Sequence, residues 1–350
     1  MRPAALMCAL ALALTLPIAL AQDSTLVSEK KEVKKAAKKK VAKVAKPAGP
    51  PAKALFGAAK SPAPMAARAI GFYAKGCLAG AASLAVDGPA WQAMRLSRNR
   101  NWGHPELIAL VEKLATDARK HDGWPGLLVG DLAQPRGGPM LTGHASHQVG
   151  LDADIWLTPM PDRRLSEKER EELSATSMLA EDRVSVDPKV WTDAHVRLLK
   201  RAASYDAVER IFAHPAIKKA LCEAAPKDGD RKWLHKVRAY WGHHYHFHVR
   251  MACPKGSGNC EHQPALPNDD GCGKELTHWL ALVKQPSKPG PPGPPKPALT
   301  MAQLPAECRT VLSSGPDAPK LPPAAAAPAP ASKPDEKSAK APANKAAGTK

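Results

Sequence analysis

The sequence predicts an α+β fold, a small and mostly antiparallel sheet flanked by helices. Three observations lead there. Residues 67–315 form one domain-sized stretch, long enough for a substantial core. Within it, several runs carry the 3.6-residue periodicity of amphipathic helices, and only a few short runs alternate as strands do. Helix and strand do not follow each other in the long regular order that a doubly wound parallel sheet requires.

Residues 1–21 read as a signal peptide. Arg2 gives a positive start, Leu6 to Leu20 is apolar, and Ala19-Leu20-Ala21 is a small-residue cleavage site, so cleavage is expected after Ala21. The apolar run falls short of the ~20 residues that span a bilayer. Cys8 lies too early in it for lipid attachment. Residues 22–66 are a Lys/Ala/Pro arm of net charge +8, in runs such as Lys38-Lys39-Lys40. Such composition buries too little apolar surface to offset chain entropy, and disorder is expected.

The predicted elements then follow in order. Pro105 to Arg119 reads as a helix, with Leu107, Ile108, Val111 and Leu114 on one face and a proline in its first turn. Leu127–Val129 and Leu151–Leu157 read as strands. Ser166-Glu-Lys-Glu169 is a capping box. Thr192 to Ala203 and Pro215 to Ala225 read as helices on either side of a strand at Val208–Ala213. Phe247–Met251 is the last strand. Pro286 to Pro297 is a connector, after which a short segment around Cys308 is tied back by a disulfide. Residues 316–350 form a second Ala/Pro/Lys tail, expected to be disordered.

The net charge of +18 sits largely in the leader, arm and tail. An exported chain rarely meets nucleic acid, so none is expected as a partner. The basic arm suits electrostatic contact with acidic cell-wall groups or anionic membrane, or a plain solvated spacer. Of seven cysteines, six follow the leader: Cys77, Cys222, Cys253, Cys260, Cys272 and Cys308. An even number in an exported chain implies three disulfides among 15 possible pairings. Cys253 and Cys260 are close enough for a local bridge. Without a Cys-x-x-Cys pair, a cysteine zinc site is not expected.

Two segments concentrate the chemistry. His144 to Asp154 and His243 to His248 hold six of the thirteen histidines and two aspartates. On a strand, Asp152 and Asp154 share one face while Ala153 and Ile155 take the other; His246 and His248 likewise oppose Phe247 and Val249. Imidazole and carboxylate are the donors of catalytic zinc sites, which take three protein ligands and leave a position open. The ordinary alternatives are satisfied core histidines and a nonspecific metal-sticky tract. The pairing of two separate segments with matching alternation favours a metal site.

The strings Arg136-Gly-Gly-Pro-Met, Gly143-His-Ala-Ser-His147-Gln-Val-Gly-Leu-Asp-Ala-Asp154-Ile-Trp and Trp241-Gly-His243-His-Tyr-His246-Phe-His248-Val-Arg250 resemble the penicillin-insensitive murein endopeptidases. These are exported zinc peptidases related in fold to lysostaphin and the D-alanyl-D-alanine metallopeptidases. The resemblance spans roughly residues 70–312. It implies one Zn²⁺ per chain on His147, Asp154 and His248, with His246 catalytic and His243 accessory to it. His144 and Asp152 fall on further active-site positions. It implies the disulfides Cys77–Cys308, Cys222–Cys272 and Cys253–Cys260, a periplasmic location, and a peptidoglycan substrate cut at D-alanyl–meso-diaminopimelyl cross-links. A homodimer is compatible with it. Two other functions fit parts of the sequence: a wall-binding module that has lost catalysis, and a metal-buffering protein built on the His243–His248 tract.

Overall fold

The computed structural model of the chain describes residues 50–285 and 297–321. Its first element corrects the boundary of the arm. Residues 50–66, assigned by composition to a disordered segment, contain helix α1 (Ala52–Ala58). The cause is tertiary. Ala52, Leu55 and Phe56 are buried in a small core with Ile70, Cys77, Val311 and Leu312. Burying a side chain such as Phe56 stabilises by about 1.5–3 kcal/mol, which a composition average over a Lys/Pro-rich window hides. Gly138 makes the room: at φ 73° it takes a backbone conformation that suits glycine, and a Cβ there would lie 2.2 Å from the Phe56 ring.

The tail boundary is corrected in the same way, since residues 316–321 are ordered against the domain. The Asp317 carboxylate accepts the backbone N–H groups of Lys60 at 3.0 Å and Ser61 at 2.8 Å. It also pairs with the fully buried guanidinium of Arg136 at 2.5 Å. The expected leader, residues 22–49 of the arm, residues 286–296 of the connector and residues 322–350 of the tail lie outside the described residues.

Strands β1 (Arg68–Phe72) and β2 (Lys75–Ala79) form a hairpin, and β3 (Ala82–Ser83) precedes β4 (Trp91–Ala93) and β5 (Trp102–Gly103). Helix α2 (Pro105–His121) opens where His104 Nδ1 accepts the Glu106 N–H at 3.3 Å. It ends on Arg119, Lys120 and His121, which suit the negative end of a helix dipole. Strands β6 (Leu127–Val129) and β7 (Asp152–Trp156) follow. The capping box at Ser166 and Glu169 starts α3 (Glu167–Glu172). Then come α4 (Asp193–Ser204), β8 (Val208–Ala213), α5 (Pro215–Ala224), β9 (Val237–Ala239), β10 (His246–Met251), α6 (Lys274–Lys284) and α7 (Glu307–Ser313).

The main sheet has six strands in the order β4-β6-β7-β10-β8-β9. The α+β class holds, but the sheet is mixed. Its three central ladders are antiparallel, while β4–β6 and β8–β9 are parallel. Parallel neighbours need a crossover, and α2 and α5 lie within those two connections. Both outer strands are three residues long, too short for a period-2 signal. Leu107, Val111 and Leu114 of α2, Leu198 and Leu199 of α4 and Ile217 and Leu221 of α5 share one core with Ala153, Ile155, Phe247 and Val249. That leaves Asp152, Asp154, His246 and His248 for the opposite face.

Disulfides join Cys77 to Cys308, Cys222 to Cys272 and Cys253 to Cys260. The first ties β2 to α7.

Lys218 on α5 is fully buried, and its ammonium donates to the carbonyls of Leu234 at 2.9 Å and Asp270 at 2.6 Å. Burial, reinforced by Arg238 and opposed by Asp270, pushes its pKa down from 10.5 to about 7. The unfolded chain therefore holds a proton between those values that the folded chain has released, and this residue makes stability rise with pH across that window. Thermal melts from pH 7 to 10 should show this rise, and Lys218→Met should flatten it. An unchanged slope in the variant would remove Lys218 as its source.

Candidate metal centre

The centre is assembled from two neighbouring strands and one turn. On β7 and β10 the register sets His248 opposite Asp154 and Arg250 opposite Asp152. The turn before β7 brings His147 in, with its backbone at φ 65°. Gly150, at φ 71°, completes that turn where a Cβ would meet Leu78 at 2.4 Å.

Asp154 Oδ1 is the convergence point. His248 Nδ1 lies 3.3 Å from it, His147 Nε2 3.4 Å and His246 Nε2 3.6 Å. His144 Nε2 lies 3.5 Å from the other oxygen. The two shortest spacings are long for hydrogen bonds but suit co-ligands. Two donors each ~2.0–2.1 Å from one tetrahedral ion stand ~3.3–3.4 Å apart. Buried polar atoms are normally hydrogen-bonded, yet His147 Nε2 and Asp154 Oδ1 have no such partner among the described residues. The donor set therefore fits a divalent cation.

The second nitrogen of each ring separates ligands from neighbours. His147 Nδ1 is 2.8 Å from the Leu132 carbonyl and must donate to it, which leaves the Nε2 lone pair free. His248 Nε2 is 2.8 Å from Asp152 Oδ1, which likewise frees Nδ1. A metal-binding imidazole is commonly held in this way, by a carbonyl or carboxylate on its far nitrogen. By proximity alone, the tightest group is His144, His147 and Asp154, with ligand atoms within 4.8 Å of one another. The His144 Nε2, however, is 3.0 Å from Asp131 Oδ2 and is occupied as a donor there. In His147 and His248 the nitrogen facing Asp154 is free of other hydrogen bonds, whereas in His144 that nitrogen is the one given to Asp131.

Asp152 organises the back of the centre. It accepts the His147 N–H at 2.9 Å and Arg250 Nε at 2.6 Å, besides His248. Burial alone would raise its pKa, but the Arg250 and His248 charges hold it well below the carboxylate range. Asp154 is lowered too, because His246 and His147 outweigh burial. For His248, burial is overcome by Asp152 and the pKa is raised. The other two histidines go the opposite way. His246 is lowered by burial against the pull of Asp154. His243 is pushed down to about 3 by burial and by His248 and His246. The His243 ring, 4.9 Å from that of His246, is fixed by Nδ1 donation to the Trp241 carbonyl at 2.7 Å.

All seven histidines and aspartates expected at the site are thereby brought to one place. His244 turns aside to the Ser177 hydroxyl. Asp131 and its arginines escape the sequence reading. Asp131 Oδ2 takes Arg98 at 3.0 Å, Arg100 at 2.8 Å and His144 at 3.0 Å. The only local signal is that Asp131 follows the end of β6.

A family model described as penicillin-insensitive murein endopeptidase matches residues 69–313. The chain belongs to that family. Among relatives of this name, the Haemophilus influenzae protein is 47% identical over 212 residues, covering 60% of this chain and 72% of that protein. The Pectobacterium atrosepticum protein is 40% identical over 245 residues, 70% of this chain and 84% of its own length. The Yersinia enterocolitica protein is 40% identical over 247 residues, 71% and 86% respectively. The match to the penicillin-insensitive murein endopeptidases spans the metal centre, from β1 to α7, so these donors sit inside the family's shared region.

Proposed function

We propose that this chain is a zinc-dependent endopeptidase that hydrolyses D-alanyl–meso-diaminopimelyl cross-links of peptidoglycan in the periplasm. The observation that carries the reading is the convergence of His147 Nε2 and His248 Nδ1 on Asp154 Oδ1, each ring committed through its other nitrogen to a hydrogen bond. These three residues would hold one Zn²⁺. When bound, the metal supplies Lewis acidity at the scissile carbonyl and lowers the pKa of water.

The chain's own groups do the rest. Burial lowers the pKa of His246, and its Nε2 faces the cluster at 3.6 Å from Asp154 Oδ1, so that nitrogen is placed to take a proton from the nucleophile and return it to the leaving amine. His243, its lone pair at Nε2, stands beside it to support the charged form. Asp152 keeps His248 in the liganding tautomer. A β-lactam inhibits by acylating a serine; imidazoles and carboxylates gathered at this site offer it no comparable ester, which accounts for penicillin insensitivity. No helix of the described residues is long and apolar enough to cross a membrane.

The test is incubation of the mature chain with a cross-linked muropeptide dimer, with mass analysis of the products. Conversion to two monomers that stops with chelator and resumes with zinc is the expected result. An intact dimer after treatment with folded, zinc-loaded protein would turn the reading into that of a wall-binding module.

A further inference from the structure

We propose that Arg98 forms the subsite for the free α-carboxylate that the substrate carries beside the scissile amide, an inference that rests on the endopeptidase reading. In a D-alanyl–meso-diaminopimelyl link, the amide nitrogen belongs to one amino-acid centre of the diamino acid. The carboxylate of that same centre is unblocked, so a negative charge sits two bonds from the nitrogen that leaves.

The structure offers a place for it beside the metal-ligand cluster. A cleft of about 290 Å³ opens against the metal-ligand cluster, bounded by Arg95, Arg98, Asp131, Asp154, Tyr245 and His246. Its two arginines are not equivalent. Arg95 is committed to the backbone, donating to the carbonyls of Arg170, Glu171 and Leu173, with its guanidinium 5.4 Å from the Trp156 ring. It fastens a wall of the cleft. Arg98 has a side chain 46% exposed and one ion pair, from Nη1 to Asp131 at 3.0 Å. Its other N–H donors bond no protein atom among the described residues, and a guanidinium fork matches a carboxylate.

Asp131 does not cancel that charge. The oxygen that receives Arg98 also receives Arg100 at 2.8 Å and His144 at 3.0 Å. Counted together, Arg95, Arg98 and Arg100 against Asp131 and Asp154 leave one net positive charge around the cleft, which favours an anion. The backbone is bent to place Arg98. The single turn Leu96–Arg98 is bracketed by Arg95 at φ 58° and Asn99 at φ 51°, two non-glycine residues in the left-handed region. Strain of this kind gathers at functional sites. The turn is locked by the Ser97 N–H and hydroxyl, which donate to the Glu171 carboxylate at 2.8 and 2.9 Å.

Two cross-linked dimers test this, one with the neighbouring carboxylate free and one with it amidated. Each is offered to the mature zinc-loaded chain, to Arg98→Gln and to Arg98→Lys. The native chain should prefer the free acid by about ten- to a hundredfold in kcat/KM, the range for one charge-assisted hydrogen bond. Arg98→Gln should bring that ratio towards one, and Arg98→Lys should keep part of it. A ratio unchanged in Arg98→Gln overturns the subsite, as does cleavage of both dimers by the native chain without preference. Loss of bound zinc from Arg98→Gln, with both rates falling together, would assign Arg98 to holding Asp131 instead. If the native chain cuts neither dimer, the endopeptidase reading itself falls.

Discussion

Asp154→Ala is expected to abolish stoichiometric zinc retention and to lower kcat/KM by a factor on the order of a thousand or more. The factor reflects the several kcal/mol that Lewis-acid stabilisation contributes to such reactions. The reason for choosing this residue is geometric. Three imidazole nitrogens stand within 3.6 Å of its Oδ1, so no other side chain can take its place among them. Removing this buried carboxylate also removes its charge interactions with His144, His147, His246 and His248, so melts of the metal-free variant separate the effect on the fold from the effect on the site. Metal analysis and dimer hydrolysis provide the readouts. A variant that keeps its zinc and its rate would refute the assignment. Paired measurements on His248→Ala and His144→Ala then decide the third ligand. Hydrogen bonding predicts zinc loss from the first and substantial retention in the second; the opposite pattern would move His144 into the coordination sphere.

Asp152→Ala should act on stability as well as on metal. Its carboxylate receives His248, the His147 backbone and Arg250, and it is completely buried. Removing one partner of a buried ion pair leaves the other charge uncompensated, at a cost of about 3–5 kcal/mol. Loss of the group that orients a liganding histidine typically lowers metal affinity by about 10–100-fold. Asp152→Asn retains one acceptor and much of the shape, so its effects should be smaller on both counts. Denaturant melts of the metal-free proteins read the first effect, and competition with a chelating dye reads the second. Equal stability of Asp152→Ala and the native chain would show that Arg250 finds another partner.

The parts of this architecture that were legible in the sequence are those with local causes. Leu127–Val129 and Val208–Ala213 are strands over the residues expected from their β-forming composition, and the Ser166–Glu169 box starts a helix where it should. The two histidine strings could be read because alternation on β7 and β10 sorts polar from apolar side chains without reference to anything distant. What remained hidden has distant causes. Helix α1 folds because Phe56 finds space over Gly138, and nothing in a Lys/Ala/Pro window announces that. Strands β4 and β9 owe their places to crossover helices. Asp131 enters the site through Arg98, Arg100 and His144, partners from other parts of the chain that share no motif with it.

The sheet order has a consequence for the life of the chain before it is finished. Strand β10 is the last of the six to be synthesised, yet it lies between β7 and β8. A polypeptide that emerges N-terminus first carries Asp152 and Asp154 long before the imidazoles that face them exist. Until His246–Met251 arrive, β7 is paired only with β6 and the cutting centre cannot close. A product that ends before His246 therefore lacks two of the histidines that face Asp154. The timing of activity is written into the order of the strands: an enzyme able to open the cell's own envelope becomes competent only after synthesis has passed Met251 of its 350 residues.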